Sequence, residues 1–312
     1  MAQQSSIRVN ILKRLLFFLL PFTVTFNTYG ADKTSPPEAV PLYTMWMGGT
    51  KGRHAFDQAV VWLALEKSRE GYGPFQLRTY QKALNFERER IESARADTYN
   101  IHIAPYYSVT LENTNTFIRV KEPIIEGFLG YRQLVIRKQD LDKFAQIQRK
   151  EQLAALTAGQ GIRWPDVEIM RNNQLKVIES LEINSLFAML NKKRFDYIPM
   201  GANEAAGTLD TVTHVIPDLT IAPNIILYYP LSIFIFVTGN NPQLAERLES
   251  GLRKAKSDGS YESLFQLHFS HILEQINQPG LQLITLENTK VSAEGSSKTP
   301  KLIKPSLRPD SE

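Results

Sequence analysis

The chain of 312 residues contains no cysteine. That absence excludes thiol catalysis, Cys-ligated zinc, iron–sulfur clusters, disulfides and the lipidated cysteine of a lipoprotein. Histidine is scarce, at five residues. His268 and His271 stand one helical turn apart with Glu274 beyond, a spacing expected to give a solvated helix face rather than a metal site. The sequence has no His-Glu-x-x-His, no Gly-x-Ser-x-Gly, no P-loop and no Ser-x-x-Lys. It has little excess charge of one sign. The 36 basic residues are interspersed with 32 acidic ones, so no nucleic-acid stripe forms. What is present is ordinary globular composition: 43% hydrophobic, 22% charged, 17 Gly and 17 Pro. No cofactor is implied.

The net charge of +4 is concentrated at the start. Met1–Arg14 carries Arg8, Lys13 and Arg14 and no acid, and Leu15–Phe26 is a short apolar run. A span needs ~20 apolar residues, so this pattern predicts a secretory signal peptide over residues 1–30, cut after Gly30. Its removal lowers +4 to +1. The mature chain is expected to be exported to the periplasm of a Gram-negative cell, monomeric, without a stable membrane anchor. Residues 31–40 are expected to form a flexible leader. Residues 279–312 are expected to be an extension that is mostly disordered, most clearly in the Ser-, Pro- and Lys-rich stretch from Val291.

Between these ends strand and helix patterns alternate, which predicts an α/β architecture. Strands are expected at Leu42–Met47, Phe75–Tyr80, Ile101–Ala104, Leu175–Ile178 and Phe195–Met200. A helix with Phe56, Ala59, Val60 and Leu63 on one face follows the first strand, and Lys82–Ala94 is a charged helix. Gly159-Gln160-Gly161 predicts a tight turn into a helix reaching Met170, and Asn184 a helix cap. Pro242 opens an amphipathic helix with Leu244, Ala245, Leu248, Leu252 and Ala255 inward and Arg247 among its outer charges. Two long apolar runs, Ile124–Ile136 and Ile225–Val237, separate two α/β units. The expected fold is two-lobed, each lobe a mostly parallel sheet flanked by helices, with two crossover strands between them; a single doubly wound sheet is the alternative that periodicity leaves open. The boundaries are 41–126 for the first part of lobe 1, 127–225 for the crossover and lobe 2, and 226–278 for the return crossover, completion of lobe 1 and C-terminal helices.

The stretches Arg119–Arg132 (RVKEPIIEGFLGYR), Ala158–Asp166 (AGQGIRWPD), Ser185–Leu190 with Arg194–Tyr197, and Asn203-Glu204 occur in an order that resembles the extracellular solute-binding proteins of family 3. These are the periplasmic receptors of amino-acid-type importers. The resemblance covers roughly Pro41–Ser270. It implies closure of two lobes around a small polar or zwitterionic solute, delivered to an inner-membrane permease or to a sensor, and no enzymatic activity. The sequence departs from those receptors at the amino-acid clamp. Thr110–Thr116 (TLENTNT) lacks the arginine that grips a ligand carboxylate there. Ile198–Glu204 (IPMGANE) lacks the aspartate that holds an ammonium.

Strands of α/β sheets present ligands to their carboxyl ends. Trp46, Tyr106 and Tyr107 follow strand ends in the first lobe and are candidates to stack on a solute. Gly161 and Trp164 follow a strand of the second lobe, where backbone N–H groups ahead of a helix favour an anion. Arg119, beside the first crossing, is a candidate to grip a carboxylate. Asn203 and Glu204 follow the strand ending at Met200 and are candidates for a polar or cationic group. Each has an alternative reading: a core aromatic, a glycine needed for geometry, a hinge ion pair, or a helix cap. Tyr228 and Tyr229 lie inside an apolar crossing and are expected to be structural.

Overall fold

A computed structural model describes residues 39–48, 53–81, 98–105, 117–125, 127–162 and 164–289. The expected signal peptide, most of the leader, the helix over Lys82–Ala94, Thr110–Thr116, Tyr106, Tyr107 and the tail from Val291 lie outside the described residues. The described residues from Val40 onward belong to one compact unit, and the fold below is that of this unit.

Its elements in chain order are β1 (Leu42–Trp46), α1 (His54–Lys67), α2 (Arg69–Tyr72), β2 (Gln76–Tyr80), β3 (Ile101–Pro105), β4 (Phe117–Arg119) and β5 (Tyr131–Arg137). Then come α3 (Leu141–Ala145), α4 (Lys150–Ala154), β6 (Thr157–Gly161), α5 (Pro165–Asn172), β7 (Lys176–Ser180), α6 (Ile183–Asn191), β8 (Ile198–Gly201) and α7 (Ala202–Thr213). The chain ends through β9 (Leu219–Tyr228), β10 (Ile233–Thr238), α8 (Pro242–Ser257), α9 (Ser260–Ile276) and β11 (Gln282–Thr285).

The first sheet has the order β2-β1-β3-β10-β4 and the second β11-β9-β5-β8. A pair, β6-β7, extends the second through a bridge between Ala158 and Tyr197. The chain leaves the first sheet after β4, enters the second at β5, and returns from β9 into β10. Strands joined by helical crossovers run parallel, as in β1-β2 and β6-β7. The strands that carry the chain between sheets arrive from the other lobe without a crossover helix. β10 therefore runs antiparallel to β3 and β4, and β5 antiparallel to β8 and β9. β11, placed in the expected extension, pairs parallel with β9.

Strand alternation sorts the first sheet's faces. Met45, Ile101, Ile103, Ile233, Ile235 and Val237 join the main core with α1, α8 and α9. The other face carries Trp46, His102, Ala104, Phe234 and Phe236. A second core lies under α6 and α7, built on Leu186, Phe187, Leu190, Phe195 and Ile198.

Three local expectations are corrected. Gly159-Gln160-Gly161 is not a turn but part of β6, paired with β7. Gly159 is small because Phe195 lies directly on it. Asn184 sits inside the first turn of α6, whose cap position is Glu182. Arg247, expected outside, is 1% exposed. Its guanidinium donates to Gly73 O at 2.7 Å and to Leu65 O at 3.4 Å, and lies 5.1 Å from the Phe75 ring centroid. The carbonyls at the end of α1 and beyond α2 have no helical partner of their own, and this arginine satisfies them.

Asn241 caps α8 by accepting from Leu244 N at 3.2 Å, and Pro242 takes the first helical position. At Gly251 the backbone of α8 approaches α1 so closely that a Cβ would run into the Ala64 carbonyl. Gly251→Ala is therefore expected to destabilise by about 1–3 kcal/mol through overpacking, although alanine gains ~1 kcal/mol of helix propensity. Urea denaturation reads the sign, and a stabilised variant would refute the close approach.

Candidate functional site

The helices that follow strand ends bring a cluster of polar side chains to the junction of the sheets. From the first sheet, the segment after β1 leads into α1, where Arg53 Nε meets Asp57 Oδ2 at 2.9 Å, both buried. From the second sheet, the register Arg132↔Gly201 sets the start of β5 beside the end of β8, where α7 begins. Arg132 Nη2 lies 2.9 Å from Asp166 Oδ1 and Nη1 lies 3.9 Å from Glu204 Oε1. The Tyr229 hydroxyl donates to Asp166, and the Arg132 guanidinium lies 5.1 Å from the Tyr229 ring centroid. Glu204 Oε1 also accepts from Gly201 N at 3.3 Å.

The electrostatics follow from burial. Asp57 is pushed up to about 6, first because burial penalises its charge and also because Glu204 repels it; Arg53 opposes the shift. Burial acts to lower Arg132, but Asp166, Tyr229 and Glu204 outweigh it and hold the guanidinium above its ordinary value. Burial, joined by the Asp166 carboxylate, keeps the Tyr229 phenol protonated, as its donor role requires. Formally the cluster holds three carboxylates against two guanidiniums. Asp57 Oδ1 has no hydrogen-bond partner, and neither amide atom of Asn203 has one, although Asn203 is 3% exposed.

A raised carboxyl pKa makes a sign-definite prediction. The folded state binds the Asp57 proton more tightly than the unfolded chain. Its contribution is present below the ordinary value near 3.8 and is lost as pH rises through about 6. The stability of wild type relative to Asp57→Asn is expected to fall by on the order of 2–3 kcal/mol between pH 4 and 7. Chemical denaturation across that range measures it. A difference that is flat or grows with pH would contradict a buried, repelled carboxyl.

Among the sequence candidates, Asn203 and Glu204 stand within or beside this cluster. Glu204 fulfils the helix-terminus reading as well, through its bond to Gly201 N. Trp46 lies on the second face of the first sheet, 4% exposed, its indole stacked on His102 at 4.8 Å and 15°. His102 is pushed down to about 3 by burial and then by Arg53, so it is a neutral partner in that stack. Arg119 is on β4, its guanidinium 4.8 Å from the Phe234 ring centroid. Gly161 ends β6 and is covered by the half-buried Trp164 indole, which a Cβ there would strike. Gly161 ends a strand instead of lying in a turn, and α5 starts four residues later, at Pro165, with Trp164 at its cap position.

Sequence reasoning passed over Arg53, Asp57 and Asp166, read Tyr229 as structural, and weighed Arg132, which with Arg119 flanks the first crossing, between a carboxylate grip and a structural ion pair. A signal existed for two of them. Asp57 sits among Phe56, Val60 and Val61 on the buried face of α1, and Asp166 precedes Val167 on that of α5. A carboxylate on an apolar stripe needs a partner, and the partner is where the site lies.

No family model matches this chain, and no curated protein matches it. Solved structures do. A Salmonella typhimurium periplasmic binding protein of high arginine specificity is 14% identical, with a TM-score of 0.51 over 74% of this chain and 100% of that one. An arginine transport periplasmic binding protein from Legionella pneumophila is 13% identical, with a TM-score of 0.51 over 74% and 100%. An amino acid ABC transporter substrate-binding protein from Streptococcus pneumoniae, bound to L-arginine, is 13% identical, with a TM-score of 0.51 over 74% and 95%. The chain thus has the two-lobed α/β fold of periplasmic binding proteins.

Proposed function

We propose that this protein is an exported solute-binding receptor that captures a small polar or zwitterionic solute between its lobes and delivers it to an importer. The shared fold supports binding rather than catalysis. The leader over residues 1–30 supports export to the periplasm, and among the described residues no helix is long and apolar enough to cross a membrane. The observation that carries the reading is the buried cluster at the junction of the sheets, where Arg53–Asp57 from one lobe faces Glu204, Arg132 and Asp166 from the other. Its formal excess of one carboxylate calls for a cation, and below about pH 6 the proton on Asp57 stands in for it when no solute is bound. The solute's cationic group replaces that proton between Asp57 and Glu204, and Asn203 supplies a further donor and acceptor.

A thermal-shift screen of the mature chain tests this. Basic amino acids and polyamines are expected to raise the melting temperature, since a ligand at about 100 times its dissociation constant adds about 2.7 kcal/mol to the folded state. Organic acids without a cationic group are expected to leave it unchanged. A screen in which no cationic solute raises it would reject the reading. One observation favours a second reading, a sensory or accessory role without transport: Arg132 is already saturated by Asp166, Glu204 and Tyr229. A folded protein that stabilises with none of these solutes would fit that reading.

A further inference from the structure

Besides the two crossings, from β4 to β5 and from β9 to β10, the chain passes between the lobes a third time, after α9. α9 packs in the first lobe, where the Phe265 and Phe269 rings lie 6.0 and 4.8 Å from that of Phe56 on α1. β11 belongs to the second sheet, in register with β9 from Gln282↔Ile225 to Thr285↔Tyr228. The anchoring continues beyond it. Leu286 N donates to Tyr228 O at 2.7 Å and Asn288 Nδ2 to Pro230 O at 2.8 Å, both on the return crossing. Asn173, at the end of α5, pairs with the Glu287 backbone as a neighbouring strand would. Its Nδ2 donates to Glu287 O at 2.7 Å, and its Oδ1 accepts from Glu287 N at 3.0 Å.

We propose that Asn277–Asn288 is a strap, a third and short link between the lobes that limits how far they part. Only five residues, Asn277–Leu281, separate α9 from β11. The first two stay tied to the helix, through Asn277 N to Leu273 O at 2.9 Å and Gln278 N to Gln275 O at 3.4 Å. The ring of Pro279 fixes its φ, and Gly280 holds φ at +82°, a value that favours glycine. Even fully extended, the chain from Gln278 to Gln282 reaches only ~14 Å. Two neighbouring crossings by themselves leave the lobes free to turn about a line through both, as in hinge closure. α9 packs on a face of the first sheet, not within it. A link from α9 to the edge of β9 therefore lies off that line and must lengthen as the lobes turn. The strap goes beyond the receptor reading and requires no ligand.

The chain has no cysteine, so spin labels at Asn184→Cys on α6 and Lys254→Cys on α8, both exposed, report the distance between lobes alone. Double electron–electron resonance on the mature chain, without solute, compares this labelled parent with a variant carrying Gly-Gly-Ser-Gly-Gly-Ser between Gly280 and Leu281. Exposed turns tolerate insertions, and six flexible residues add roughly 13 Å of r.m.s. reach. The longer link is expected to raise the mean distance, or to widen its distribution, by about 5 Å or more. A three-residue insertion, Gly-Ser-Gly, is expected to give a smaller change of the same sign. It decides the matter should the longer variant fail to fold. Distances equal to the parent's in the folded insertion variants would overturn the strap. Since no ligand enters the measurement, failure here leaves the receptor reading standing, and a failed solute screen leaves the strap untouched.

Discussion

Arg132→Met is expected to lower the melting temperature by roughly 10 °C. The guanidinium is buried between Asp166 and Glu204 and over Tyr229. Removing one member of a buried ionic group leaves its partners desolvated without compensation, a cost of about 3–5 kcal/mol. In a chain of this size 1 kcal/mol moves the midpoint by about 2–4 °C. Adding Asp166→Asn removes one of the stranded charges, so the double variant is expected to recover a large part of the loss. The two substitutions are therefore non-additive, as coupled sites are. Thermal denaturation followed by circular dichroism measures both. A shift of less than about 2 °C for Arg132→Met would mean that water reaches the cluster and screens it.

Glu204→Gln is expected to weaken capture of a cationic solute by about 100-fold, the loss of a close desolvated charge pair at the cost of a few kcal/mol. The change keeps the side-chain shape and the acceptor facing Gly201 N, so the fold is expected to survive. The same variant relieves the repulsion of Asp57, whose pKa should fall from about 6 toward its ordinary value. For wild type, affinity is expected to rise with pH from 5 to 7, because the solute's cation and the Asp57 proton compete for one place. Each unit of pH below about 6 then costs up to tenfold in affinity. Isothermal titration in two buffers of different ionisation enthalpy would register the released proton. Capture that is indifferent to both pH and Glu204→Gln would remove this pair from the site.

How much of this was legible beforehand depended on how local each signal is. The first strand and the helix opened by Pro242 announce themselves in neighbouring residues, because alternation and the 3.6-residue stripe are local properties. The two long apolar runs likewise signalled that the chain passes between lobes and returns. Gly159-Gln160-Gly161 failed for the opposite reason. Glycine suits both a tight turn and a strand packed against a ring, and only Phe195, distant in sequence, decides which. Arg247 failed similarly, since its partners Leu65, Tyr72 and Gly73 lie more than 170 positions away. Two residues of the cluster, Asn203 and Glu204, were singled out beforehand because they follow a strand end. Arg53 and Asp57 are one i,i+4 pair, but Asp166 and Tyr229 come from two other segments, and no spacing links the three.

The sequence by itself excluded thiol chemistry and Cys-ligated zinc, and it carries no P-loop motif. It also carried the α/β alternation, a basic start followed by a short apolar run, and the two long apolar stretches. Tertiary structure alone decided which charged residues meet. An ion pair is a matter of distances and of excluded water, and both are set when α1, α5 and α7 are brought to one junction by sheets whose strands lie far apart in the chain. It likewise decided that Trp46 stacks inside the first lobe on His102, because the register of β1 beside β3 puts those two rings on one face. Periodicity specifies which side of an element is buried. What it is buried against is settled only when the lobes pack.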